Sequence, residues 1–200
     1  RVKGSEEIVK VDEIIKGIKI KRFPALKLGG ESFMFWFEKS AERESLDIKP
    51  DVIIAHSYRH PHTTKALNLK KKLGYKVFLV THAPFERSET RTLLSKLLVL
   101  LYDKFIGKRT LNKFDKVIAI TKWEIPYLIN LGLSESKIEY IPNGIRPKFF
   151  SYKKSKETNK IVYTGRISPI KQIGDLIKAI PYIKDKKIIV EIFGPAEKDY

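Results

Sequence analysis

Three short runs decide the fold: DVIIA at residues 51–55, KVFLV at residues 76–80 and KVIAI at residues 116–120. Each is almost wholly apolar and rich in β-branched residues, which is typical of a strand buried on both faces of a parallel sheet. The stretches between them, at residues 63–73 and 89–111, have the apolar spacing of helices. The sequence therefore predicts an α/β fold in which helices flank a parallel, Rossmann-like sheet.

Weaker patterns extend this alternation along the chain. Further strands are predicted at residues 17–22, 138–141, 161–163 and 187–193. Further helices are predicted at residues 31–44, 121–131 and 173–182. Gly74 and Gly132 directly follow two predicted helices, and glycine at that position predicts the helix end because it adopts a left-handed backbone readily.

A polar, lysine-rich stretch at residues 151–159 interrupts the alternation, which then starts again. We predict a first Rossmann-like domain over residues 1–145, a linker over 146–158 and the start of a second Rossmann-like domain over 159–200. The second part is one βαβ unit, which is too small to close a hydrophobic core by itself.

Composition excludes several classes of protein. The 200 residues contain no cysteine, which rules out a disulfide scaffold, a thiolate zinc site and a cysteine nucleophile. The longest apolar run, residues 97–102, is far shorter than the roughly 20 residues that a membrane-spanning helix needs. The first seven residues contain no apolar signal-peptide core, so we expect a cytoplasmic protein.

Positive charge is concentrated in the middle of the chain. The net charge is +17, and residues 59–122 hold 15 Lys and Arg against 4 Asp and Glu. Such a block suggests an anionic partner: a phospholipid surface, a nucleic acid or an anionic substrate. The Lys-rich, Ile-rich usage with one Met is also typical of hyperthermophile proteins, which would raise the lysine count without any partner. Aromatic residues are not interleaved with these cations in a nucleic-acid-reading pattern, so we expect no nucleic acid.

All four histidines follow predicted strands, at the edge where open parallel sheets bind ligands. His56, His60 and His62 come after the first buried strand, and His82 comes after the second. Their spacing could suit a metal ion, but cysteine is absent and carboxylates are scarce nearby, so we predict no metal site. Solvated loop histidines are the alternative for His60 and His62, whereas His82, directly at a strand end, is predicted to face a polar ligand.

A second candidate site follows the strand predicted at residues 161–163. Gly165 permits a tight turn, and Arg166 and Lys171 flank the start of the next predicted helix. Two cations at a helix N-terminus can bind a diphosphate. Surface cations beside an ordinary turn are the alternative.

In this order, the motifs resemble those of the retaining glycosyltransferases of family 4, which have the GT-B architecture of two facing Rossmann-like domains. Four segments carry the resemblance: DVIIAH at 51–56, FDKVIAIT at 114–121, KIEYIPNGI at 137–145 and VYTGRISPIK at 162–171. Each is weak alone, and their order and spacing over residues 50–194 make the resemblance strong.

The resemblance implies a hexosyltransferase-type enzyme that moves a sugar from a nucleotide-diphosphate sugar to an acceptor with retention of configuration. Gly165, Arg166 and Lys171 would bind the donor diphosphate and neutralise the leaving group in place of a metal. His82 matches the family's histidine near the donor sugar. The nucleotide sugar is a substrate, so no cofactor is expected.

The acceptor is expected on the first domain, where His56, Tyr58 and Arg59 are candidate contacts for a sugar or lipid-linked acceptor. The family's glycine-rich loop is not found before residue 17, and its paired glutamates and base-binding residues would lie beyond Tyr200. The resemblance therefore suggests a fragment that is inactive by itself.

The basic block suggests peripheral contact with an anionic membrane through Lys70, Lys71, Lys72 and the helix at 89–111, on the cytoplasmic side. Positions 94, 97, 98, 101 and 105 share one face of that helix. This face either packs on the sheet, with the lysines solvated, or rests on anionic lipid. Two alternatives remain: another GT-B enzyme, such as a nucleotide-sugar epimerase or a phosphorylase, and a non-enzymatic basic binder of an anionic polymer or membrane.

Overall fold

The computed structural model describes residues 12–23, 44, 47–85, 92–153, 158–185 and 187–196. The chain divides into two compact units, and the division falls between Gly144 and Ile145. The domain and linker bounds given above stay a prediction. The helix predicted at 31–44 lies outside the described residues except for its last residue.

The first unit contains a hairpin and a parallel sheet. Strands β1 (Asp12–Ile15) and β2 (Ile18–Lys21) pair in an antiparallel hairpin. Within the described residues, the sheet consists of β3 (Val52–His56), β4 (Lys76–Val80), β5 (Lys116–Ala119) and β6 (Ile138–Tyr140). All four strands are parallel and lie side by side in chain order. The predicted α/β fold is confirmed.

The connections between these strands contain, in the part of the chain that the structure describes, the helices α1 (Pro61–Leu73), α2 (Leu93–Tyr102) and α3 (Glu124–Asn130). Gly74 ends α1 as predicted, with a left-handed φ of 73° and its N–H donating to the Lys70 carbonyl. The helix predicted at 89–111 is present from Leu93 onward and is irregular. A π-helical turn (Asp103–Gly107), a single α-helical turn (Lys108–Thr110) and a 3-10 turn (Leu111–Lys113) follow α2.

One face of the sheet carries the hydrophobic core. Val77, Leu79, Val117 and Ala119 are fully buried there, under side chains of the connecting segments that include Leu67, Leu69, Leu111 and Leu128. The prediction that the first strand is buried on both faces is wrong, because the side chain of Ile54 is 54% exposed on the other face. Alternate residues of a strand point to opposite faces of the sheet, and a continuous apolar run does not guarantee that both faces are covered by other elements.

The second unit is a βαβ arrangement. Strand β7 (Lys160–Thr164) pairs in parallel with β8 (Ile189–Phe193), and α4 (Ile173–Ala179) lies between them in sequence. A 3-10 turn, Pro147–Phe150, precedes β7 in the chain. This unit is the strand–helix–strand succession that the sequence predicts.

Candidate functional site

The carboxyl edge of the first sheet brings two predicted site residues together. His56 ends β3, His82 follows β4, and the parallel pairing of these strands places both at one edge. His56 Nδ1 lies 2.8 Å from His82 Nε2, and His62 Nε2 lies 2.8 Å from the His56 carbonyl oxygen. Burial, together with His82 and His62, lowers the pKa of His56. One imidazole must accept the shared proton, so the contact requires at least one neutral ring.

The backbone at this edge is strained in both loops. Ser57, Arg59, His82 and Ala83 all have φ between 52° and 75°, the left-handed region that non-glycine residues rarely adopt. Each such residue costs roughly 1–3 kcal/mol and persists only where its surroundings hold it. Strain of this kind concentrates at functional sites, so it supports the assignment of a site to this edge.

A buried carboxyl group holds the second of these loops. Glu124 is fully buried at the start of α3. Its Oε2 accepts hydrogen bonds from the Thr81 hydroxyl and from the Ala83 N–H, the latter at 3.0 Å. Its Oε1 accepts from the N–H groups of Ile120 and Thr121, at 3.0 and 2.9 Å, and from the Thr121 hydroxyl. Glu124 therefore joins the loop after β4 to the loop after β5.

Sequence reasoning missed Glu124, although a signal was present. Thr121 and Glu124 have the spacing of a capping box, in which a glutamate side chain accepts a hydrogen bond from the N–H of the residue three positions earlier. The same carboxyl group also holds Thr81 and Ala83, the two neighbours of His82. Glu124 thus holds the backbone on both sides of His82.

The two remaining acceptor-side candidates are tied to Asp103, which sequence reasoning also missed. Arg59 donates from Nε and Nη2 to the two carboxylate oxygens of Asp103, at 2.8 and 2.6 Å, and from Nη1 to the Pro84 carbonyl at 2.6 Å. The Tyr58 hydroxyl donates to Asp103 at 3.1 Å, and burial raises the pKa of Tyr58. These contacts fix the loop after β3 against the π-helical turn. The acceptor-side role of His56, Tyr58 and Arg59 stays a prediction.

Within the part of the chain that the structure describes, no group of three or more His, Asp or Glu side chains is placed to hold a metal ion. The rings of His60 and His62 lie 5.4 Å apart beside the first loop. Burial, followed by the influence of His62, lowers the pKa of His60.

The apolar face of α2 does not pack on the sheet, so the first of the two alternatives for this helix is wrong. Every leucine of α2 is exposed, by 39% to 85%. Phe105 and Ile106 in the following π-helical turn are also exposed. The side chains that enter the hydrophobic core come instead from residues after the π-helical turn, Leu111 and Phe114.

The lysine triplet at the end of α1 is partly engaged in the fold. Lys70 Nζ lies 2.6 Å from the Asp115 carboxylate, immediately before β5. Lys71 and Lys72 are exposed. This places the triplet at the amino edge of the sheet, whereas His56 and His82 lie at the carboxyl edge.

The second unit holds the predicted diphosphate-binding residues at the carboxyl end of β7. Gly165 has a φ of 156°, and a Cβ there would lie 2.8 Å from the Tyr163 hydroxyl. Its N–H donates to the Phe193 carbonyl at 2.9 Å, so β7 stays paired into the loop. Arg166 and Lys171 are both exposed. Lys171 ends a 3-10 turn, Pro169–Lys171, and does not lie in the first turn of α4.

The fold of the first unit agrees with a sequence comparison. The family described as Glycosyltransferase Family 4 matches residues 3–149. The chain belongs to this family. Membership of family 4 indicates a glycosyltransferase-type protein with a Rossmann-like α/β fold. No curated protein matches the sequence.

The family 4 match ends before Gly165, Arg166 and Lys171, and it covers His82 without assigning that residue a role. The roles of all four residues stay predictions. Among the helices that the structure describes, none is both long and apolar enough to cross a membrane.

Proposed function

We propose that this protein transfers a hexose from a nucleotide-diphosphate sugar to an acceptor hydroxyl with retention of configuration, on a GT-B architecture. The bond between the anomeric carbon and the diphosphate oxygen breaks, and the nucleoside diphosphate leaves with the electron pair. The acceptor oxygen forms the new bond to the anomeric carbon and loses its proton. Gly165 lets the backbone approach the diphosphate, and Arg166 and Lys171 neutralise the charge that develops on it without a metal ion or cofactor.

The observation that carries this proposal is the loop after β7. Two exposed cations, Arg166 and Lys171, lie within six positions of each other at a carboxyl strand end, where α/β sheets bind ligands. The loop that holds them continues the pairing with the segment after β8, since Ile167 donates to the Pro195 carbonyl at 2.9 Å. A preorganised pair of cations is what a diphosphate leaving group requires.

The test is titration calorimetry with a nucleoside diphosphate on the wild-type protein and on Arg166→Ala and Lys171→Ala. Each charge-assisted hydrogen bond contributes about 1.5–3 kcal/mol, so each substitution should weaken binding roughly 10- to 150-fold. Lys178→Ala is the matched control, because Lys178 is an exposed cation of the same unit, 3.7 Å from Asp175. Equal affinity in all four proteins would refute the assignment.

We propose that His82 contacts the donor sugar and that His56 lies on the acceptor side with Tyr58 and Arg59. The paired imidazoles at the carboxyl edge support this proposal, because they present polar atoms on a backbone that Glu124 holds rigid. An epimerase is the alternative enzyme. The two are distinguished by products: a transferase releases a nucleoside diphosphate from its donor, whereas an epimerase that keeps the diphosphate bond does not.

We also propose that the protein contacts anionic lipid on the cytoplasmic face of a membrane. The exposed leucines of α2 support this, and so do the exposed Lys96, Lys104, Lys108 and Arg109. Asp103, the one acid in residues 92–113, is already paired with Arg59. Each lysine near such a surface contributes roughly 1 kcal/mol, and the contribution fades with salt.

Co-sedimentation with vesicles tests the membrane contact. Binding should require anionic lipid, fall steeply with salt and weaken in Lys96→Glu and Lys104→Glu. In the triplet, Lys71→Glu is the informative change, because Lys70→Glu also breaks the contact with Asp115. Equal recovery with neutral and anionic vesicles would exclude the membrane contact.

A further inference from the structure

An apolar groove lies beside α2 in the first unit. Its volume is about 600 Å³, within the range of roughly 300–1,000 Å³ typical of small-molecule sites. Leu98, Leu101 and Phe105 form one wall. The other wall comes from the loops at the carboxyl edge and includes Tyr58, Pro61 and Pro84.

The groove is preformed on the side of the carboxyl edge. The Tyr58 ring packs edge-on against Tyr102, with centroids 6.0 Å apart, and its hydroxyl is held by Asp103. Arg59 also lines the groove, but its charge is neutralised by the salt bridge to Asp103. The groove therefore offers apolar surface with fixed walls, which suits a hydrocarbon chain better than a sugar.

Cations lie beside this apolar surface. Lys104 Nζ is 5.7 Å from the centroid of the Phe105 ring, which lines the groove. A neighbouring depression shares Pro61 and Tyr102 with the groove and is also lined by Lys65. An apolar groove with a lysine beside it is complementary to an alkyl chain that carries an anionic phosphate.

We propose that this groove binds the aliphatic chain of a phosphate-bearing lipid acceptor, with Lys104 facing the phosphate. The inference rests on the proposed transferase function and names the class of its acceptor. The groove is lined by Tyr58 and Arg59, which come two and three positions after His56, and by Pro84, two positions after His82. Its lining therefore reaches the edge where the imidazoles meet. A chain in the groove would hold the acceptor head group at that edge.

The experiment uses dodecyl phosphate, kept below its micelle concentration, as the probe, and titrates it into the protein by calorimetry. Leu98→Gln changes a groove residue, and Leu100→Gln is the matched control. Both are exposed leucines of α2, by 43% and 61%, so neither change should disturb folding, and Leu100 does not line the groove. Inorganic phosphate serves as the probe without a chain.

Dodecyl phosphate should bind much more tightly than inorganic phosphate. Leu98→Gln should weaken it about tenfold, the loss expected when one leucine contact with a buried chain is removed. Leu100→Gln should leave the affinity within about twofold, as for an exposed residue outside the site. Lys104→Gln should weaken binding and reduce its salt dependence.

Three outcomes would overturn the inference: dodecyl phosphate binding no better than inorganic phosphate, equal losses in the two leucine variants, or a dimer by light scattering whose α2 contact excludes the probe. Equal losses would indicate a general apolar surface, such as one that rests on a membrane. Nucleoside diphosphate binding is measured on the same preparations. If it still depends on Arg166 while dodecyl phosphate fails to bind, the groove inference fails and the proposed function stands.

Discussion

Replacing Glu124 by glutamine should loosen the carboxyl edge while keeping the size of the side chain. The carboxyl group accepts from three backbone N–H groups, those of Ala83, Ile120 and Thr121. A glutamine can present its carbonyl oxygen to the Ile120 and Thr121 pair, but its NH₂ group then faces the Ala83 N–H. One partly buried donor, the Ala83 N–H, loses its acceptor, which costs about 1–3 kcal/mol.

Urea denaturation of Glu124→Gln should therefore show a free energy of unfolding lower by about 1–3 kcal/mol. Glu135→Gln is the matched control, because Glu135 is an exposed glutamate of the same unit, and it should change stability by less than about 0.5 kcal/mol. The imidazole NMR signals of His56 and His82 should also move, because Ala83 directly follows His82. A Glu124→Gln protein with wild-type stability and unmoved histidine signals would refute the positioning role.

Two further predictions concern the backbone at β7 and the histidine cluster. Gly165→Ala should destabilise the second unit, because φ is 156° and the new Cβ would crowd the Tyr163 hydroxyl, and limited proteolysis at fixed temperature should cleave that unit faster than in the wild type. Acidification should lower stability, because a pKa of His56 held below 6.5 means that the unfolded chain binds more protons. This stability is present above pH 6.5 and is lost as the pH falls through the lowered pKa of folded His56. In denaturation curves recorded at a series of pH values, His56→Asn should reduce the dependence of the free energy of unfolding on pH. An unchanged pH dependence would contradict the account.

The strands of the first sheet could be predicted because their signal is local. The runs at 76–80 and 116–120 carry their burial pattern within five residues, and the structure has strands at Lys76–Val80 and Lys116–Ala119. Strand β1 was missed because its sequence, DEII, does not alternate. Its partner β2 supplies the pairing that holds it extended.

The contacts of the candidate site were less predictable because they join residues far apart in the chain. Arg59 meets Asp103 across 44 positions, and Glu124 meets Thr81 across 43. Local patterns carry no information on such pairs. Helix α2 shows the same limit: its apolar spacing predicts a face, and nothing in that spacing says whether the sheet, a lipid or a ligand covers it.

The central claim, that Arg166 and Lys171 bind the donor diphosphate, is tested most directly by phosphorus NMR of a nucleoside diphosphate titrated with the protein. The account predicts that both phosphorus resonances shift with the wild type and with Lys178→Ala. It predicts no shift with the double variant Arg166→Ala/Lys171→Ala, in which both cations are removed and the Gly165 turn is kept. Full phosphorus shifts with the double variant would contradict the claim.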